Sequence, residues 1–255
     1  SLGPFSKTTT LPAPLPGYAI ATFIPLSLLP FESAAHLWTF LLYAAIAMCV
    51  LCTARLTGLT LATTAAAFLL SLCAASVGLG ETVPICVAAI CVAALLAQER
   101  KWLGASIAAV VTLIEPHIGL PIILSMAIWW PLSRKPLVIA ALALAAISLV
   151  ALGPATNVEY LRQVLPAHAL SEIGSDAQMS LSVIVHGMGV EPHLAIAIGT
   201  VSYLLAAVCG ILVGGILARK FSSNAFLVIT PAAMSLVGGA FIHVTQMAAA
   251  IPLAM

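Results

Sequence analysis

The chain has 255 residues, 62% hydrophobic and only 7% charged, with a formal net charge of +1. A soluble domain carries roughly 25% charged residues, so the composition argues against a soluble fold, and nothing in the charge points to nucleic acid. Charge-free runs at 37–54, 56–80, 136–158, 194–218 and 221–242 are each about long enough for a spanning helix, which needs roughly 20 apolar residues.

In chain order, residues 1–17 are polar and proline-rich, with no basic segment ahead of an apolar core and hence no signal peptide. Ser1 is not a methionine and "HVTQMAAAIPLAM" reads as a helix just beginning, so the expectation is a fragment of a longer chain. Residues 18–31 hold Pro25 and Pro30 and read as a broken or shallow helix. Helices are then expected at 35–54, 57–78, 83–98, 102–114, 118–131, 136–153, 194–218 and 223–242. The links between them are short, except for 154–193. The fold class is all-α and polytopic, a single membrane-embedded domain over 1–255 with about eight membrane helices.

Of the six cysteines, Cys49 and Cys52 have the spacing of a redox or metal pair. Inside an apolar helix they read instead as small packing residues. "VGLGETVP" (77–84) is a turn whose Glu81 is either solvated or part of a site. Its GxG follows no strand and is no dinucleotide signal. No Cys/His cluster has metal spacing, so no metal or cofactor is expected.

Basic residues set the sidedness, because short cytoplasmic loops are enriched in Lys and Arg. One threading places Arg55, Arg100, Lys101, Arg134, Lys135, Arg219 and Lys220 on one side, leaving only Lys7 and Arg162 opposite. Trp102, Trp129 and Trp130 sit at the same boundary. The same threading sends seven of the eight acids and all six histidines, the side chains that most readily exchange protons near neutral pH, toward the outer side. That side is the expected chemical face.

"TLIEPHIGLPII" breaks the apolar pattern at Glu115, Pro116 and His117. Segments 102–114 and 118–130 have 13 residues each. At about 1.5 Å per residue each spans about 20 Å, short of the roughly 30 Å hydrocarbon core. Basic pairs flank both outer ends, so the two form a re-entrant hairpin whose tip stays at depth. Pro116 biases Glu115 away from helix. Irregular backbone at that depth must line a cavity or lie within protein, and an ionisable group there is usually functional. A second reading has Glu115 and His117 pairing with each other or capping helix ends.

Residues 154–193 form the long outer loop. Val158, Leu161 and Leu165 are spaced for one face of an interfacial helix, with Glu159, Arg162 and Gln163 opposite. A second short helix starts near Ser180 with Asp176 as its cap. His168, near Pro166, is a surface residue or a site residue.

Three stretches in this order, "GLGE", "IEPHIGLPIILSMAIWWPLSRKPL" and "YLRQVLPAH…DAQMSLSVIVHGMG", with "LPAPLPGYAIATFIPLSLLP" upstream, resemble the polyprenyl-phosphate-mannose-dependent mannosyltransferases. These are glycosyltransferase family 87, within the GT-C membrane superfamily. The resemblance covers most of the chain. It implies a polytopic enzyme that moves a hexose, mannose by the resemblance, from a polyprenyl-phosphate donor to a glycolipid or glycan acceptor. The implied place is the outer (periplasmic) face of a bacterial-type plasma membrane, with lipid and both substrates as partners and no nucleic acid. The family commonly shows Gly-Gln-x-Asn where this chain has Gly80 and Glu81, and Lys-Pro where it has Glu115 and Pro116. His117 fits the histidine that often follows that proline. Gln178, Ser180 and Leu181 fit an Asn/Gln-Ser-Leu stretch. The resemblance thus makes His117 and Glu115 candidate catalytic residues and Glu81, Gln178, Ser180 and His168 candidate substrate contacts. The family's main base, an aspartate of the first outer loop, has no counterpart here and is expected upstream. A secondary transporter, whose broken helices come in pairs, and a non-catalytic membrane relative are the rival readings.

Overall fold

The computed structural model describes residues 15–175, 178–238 and 242–255. Two short helices open it, α1 (Gly17–Thr22) and α2 (Ile24–Ser27), split as the prolines predict. The long helix α3 (Phe31–Thr57) ends on Gly58 at φ 75°. Such a left-handed cap suits glycine. The helix expected over 57–78 is broken at Ser71 into α4 (Leu61–Leu70) and α5 (Leu72–Leu79), bent by 51°. Ser71 is extended, and its hydroxyl accepts from the Cys73 N–H. A serine cap thus starts a new helix inside an unbroken apolar run. Next comes α6 (Val83–Gln98), the buried centre of the bundle, with Cys86, Val87, Ile90, Ala93, Ala94 and Ala97 wholly enclosed.

The predicted hairpin is present. Helix α7 (Trp102–Val111) tightens into a 3-10 turn at Thr112–Ile114, and α8 (Pro116–Trp129) returns. A Cβ on Gly119 would lie 2.7 Å from the backbone of Thr112 and Leu113. Only glycine lets the two arms meet that closely at the tip. After a second 3-10 turn, α9 runs Arg134–Glu159 with a kink at Gly153. A π turn (Tyr160–Val164) joins it to α10 (Leu165–Glu172), so much of the segment 154–193 expected as a loop is helical. Val158, Leu161 and Leu165 are all exposed there. Helix α11 (Leu181–Gly187) is capped by Ser180 itself, whose side chain accepts from Val183. Asp176, the expected cap, lies outside the described residues. Helix α12 spans Pro192–Lys220. Helix α13 (Phe226–Val237) is shorter than the expected 223–242. A 3-10 segment (Val244–Ala250) and α14 (Ile251–Ala254) follow.

The fold is all-helical. Among the described residues three helices are long and apolar enough to cross a membrane: α3, the continuous α9–α10 run and α12. The bent α4–α5 pair makes a fourth, and five shorter apolar helices pack among them. Leu142, Leu149, Val150, Leu204 and Leu205 stand exposed on α9 and α12. Outward apolar side chains on this scale suit lipid as the solvent.

The basic loops meet at one end. Glu99 binds Arg55 at 2.8 Å and Lys101 at 2.6 Å. The Ser223 hydroxyl donates to Gln98. The Arg219 guanidinium lies 4.6 Å above the Trp129 ring. Arg134 Nε donates to the Ala127 carbonyl at 2.7 Å, satisfying one of the free carbonyls that end α8.

Candidate functional site

Two interrupted segments rise from the basic end and stop part-way. The first is the α7–α8 hairpin. The second is α13, 12 residues or about 18 Å long, followed by the turn that carries His243 and Gln246. Sequence reasoning found the first break and missed the second.

At the first break Glu115 is non-helical (φ −115°, ψ 86°), as a residue before proline prefers. Its carboxylate is largely buried, with 14% of the side chain exposed. The Thr82 hydroxyl donates to Oε1 at 2.6 Å, and the Gln246 amide donates to Oε2 at 3.1 Å. His117 Nδ1 stands 4.0 Å from Oε2, beyond hydrogen-bond reach. The two residues are therefore neighbours rather than a bonded pair. His117 Nε2 is buried and has no partner among the described residues. Two tyrosines hold the irregular backbone. Tyr18 donates to the Leu113 carbonyl at 2.8 Å and Tyr203 to the His117 carbonyl at 2.7 Å.

At the second break a single antiparallel bridge joins Gln178 to His243. The Met179 N–H donates to the Ile242 carbonyl at 2.8 Å. Gln178 Nε2 donates to Glu172 at 3.1 Å and contacts His243 Nε2 at 3.1 Å. Glu172 and His243 are 3.8 Å apart. The His243 N–H donates to Gln246 Oε1 at 3.0 Å. One polar chain thus runs from Glu172 through Gln178, His243 and Gln246 to Glu115 and Thr82.

The other sequence candidates fall around it. Trp38 donates to the Gly80 carbonyl at 3.0 Å and fixes the turn that presents Glu81. Glu81 is within electrostatic range of Glu115, and its Oε2 is buried without a partner among the described residues. Gln178 Oε1 is in the same state. Ser180 is buried and spends its oxygen on capping α11. His168 is half-buried on α10, one turn before Glu172.

Thr82, Glu172, Tyr203, His243 and Gln246 were not among the candidates. Glu172 and His243 were visible only as part of the one-sided excess of acids and histidines. The chemistry the arrangement allows is specific. Glu81 Oε2 and Gln178 Oε1 accept hydrogen bonds, and His117 Nε2 can accept or donate one. A hydroxyl group could complement each of the three.

Residues 16–246 match the sequence pattern of glycosyltransferase family 87. The chain belongs to that family. No curated protein and no solved structure gives a significant match. The matched span takes in every part of the polar chain from Glu81 to Gln246. Family 87 membership makes the protein a membrane glycosyltransferase, and its helical apolar bundle agrees with that.

Proposed function

We propose that this glycosyltransferase moves a hexose, mannose in the family's pattern, from a polyprenyl-phosphate donor to a glycolipid or glycan acceptor. The reaction is set at the outer face of a bacterial-type plasma membrane. The observation that supports this reading is His117 Nε2, buried at an interrupted helix with no hydrogen-bond partner among the described residues, as are Glu81 Oε2 and Gln178 Oε1. A buried imidazole nitrogen and two buried acceptors without partners are costly. Sugar hydroxyls supply the missing donors.

A lipid phosphate is already a good leaving group. The acceptor hydroxyl attacks the anomeric carbon, the bond from that carbon to the phosphate oxygen breaks, and the hydroxyl proton passes to a base. His117 acts in this proton chemistry with Glu115 beside it. Glu81 and Gln178 contact the sugar, His168 shapes the rim from the outer segment, and Ser180 supports it by capping α11. Glu115 stands where the family commonly has lysine. The polar chain therefore faces the hydroxyls, and the donor phosphate is held elsewhere.

The test is donor choice. Purified full-length protein is given a polyprenyl-phosphate hexose or a nucleotide-diphosphate hexose, with membrane glycolipid as acceptor. Product from the lipid donor alone is expected. Product from the nucleotide sugar alone would overturn the donor assignment.

A further inference from the structure

Gln246, on the turn after α13, reaches across to hydrogen-bond the tip of the α7–α8 hairpin. It is buried, with 6% exposed. Its amide has two ends with opposite character, and both are used. Oε1 accepts from the His243 N–H at 3.0 Å, and Nε2 donates to Glu115 Oε2 at 3.1 Å. A carboxylate at 246 could make only the first bond, because Glu115 offers no proton when ionised. An apolar residue could make neither.

The bonded groups lie in different parts of the fold. Glu115 sits at the hairpin tip next to His117. His243 is bridged to Gln178, and through it to Glu172 on the outer segment. We infer that Gln246 is a positioning residue, a clamp that sets the hairpin tip carrying His117 against the outer segment carrying Gln178. It moves no proton. It fixes the register of two elements that would otherwise be joined by apolar contact alone, and apolar contact is non-directional. Thr82 completes the clamp from the other side by holding Glu115 Oε1 at 2.6 Å. The inference rests on the site reading above for its link to sugar transfer, but the clamp itself stands on the geometry.

The test is a charge relocation. Gln246→Glu places two carboxylates at the 3.1 Å contact. In full-length protein in detergent it should lower Tm by about 5 °C or more, and kcat for transfer from a polyprenyl-phosphate hexose by roughly tenfold or more, with KM changed much less. Adding Glu115→Gln restores the complement. The new amide at position 115 then donates to the new carboxylate at position 246, and its carbonyl oxygen accepts from Thr82. The double variant Glu115→Gln/Gln246→Glu should regain most of the Tm loss and outperform Gln246→Glu in kcat, although the carboxylate has moved 131 positions along the chain. If Gln246→Glu does not insert, recovery of insertion by the double variant supports the clamp equally.

Effects that merely add in Tm and in kcat would overturn the clamp, as would a double variant that fails wherever Gln246→Glu fails. Coupling in Tm while wild type transfers no sugar from the lipid donor would support the clamp and defeat the transferase reading of the site.

Discussion

Tyr203 donates its hydroxyl to the carbonyl of His117 at 2.7 Å. The bond answers a defect built into α8. In a regular helix the His117 carbonyl would accept from the residue four positions on, but that residue is Pro121, which has no N–H. A carbonyl left unpaired inside the bundle would be costly. Helix α12 supplies the donor instead and fixes the backbone from which the imidazole projects.

Tyr203→Phe should therefore cost about 1–3 kcal/mol, the penalty of leaving a buried carbonyl unpaired. Pro121→Ala restores an N–H and should recover part of that loss. Thermal unfolding of the two single variants and the double variant measures it. Independent, additive effects would show that the bond does not compensate for the proline.

The Glu99 cluster gives a signed pH dependence. Hydrogen bonding to Lys101, with the nearby Arg55 charge, holds the Glu99 carboxyl below its ordinary value of 4.5. A depressed carboxyl stabilises the fold above the unfolded-state value, and this contribution is lost as pH falls through the folded-state value. The wild-type advantage in Tm over Glu99→Gln should be complete at neutral pH and shrink as pH falls below about 4.5. The cluster is solvent-accessible and should also weaken with added salt. A Tm difference unchanged between neutral and acid pH would contradict this account.

The gathering of basic loops at one end predicts orientation. In a background free of native cysteines, Lys135→Cys should react with an impermeant thiol reagent only after permeabilisation. Gly174→Cys, exposed on the outer segment, should react in intact cells. The reverse pattern would invert the protein and move the chemical face to the cytoplasm.

Much of the architecture is legible in sequence because lipid exposure demands unbroken apolar runs. Pro116 marks the hairpin tip, and the basic pairs mark its base. The second break is less visible. "SLVGGAFIHVTQM" reads as apolar through to Ile242, and Gly238 with Gly239 is the only local sequence sign that α13 stops early. The Ser71 bend is hidden for a similar reason, since a cap needs only one hydroxyl. The partners of Glu115 were out of reach altogether. Thr82 is 33 positions away and Gln246 is 131, and nothing in a single sequence ties such residues together. The second sequence reading paired Glu115 with His117. The structure shows instead that Glu115 is held by Thr82 and Gln246 and leaves the imidazole Nε2 free.

The central claim is that His117 takes part in sugar transfer, and one substitution tests it most directly. His117 Nε2 has no hydrogen-bond partner among the described residues, the imidazole's remaining interaction is with the Gln246 side chain, and the bonds of Glu115 to Thr82 and Gln246 do not pass through the ring. His117→Ala should therefore insert normally and unfold near the wild-type Tm. The measurement is the initial rate of hexose transfer from a purified polyprenyl-phosphate donor by full-length His117→Ala. The account predicts a fall of roughly 10²-fold or more, the scale of a lost general acid–base group. Full turnover in a folded variant would contradict it and leave the histidine a structural residue.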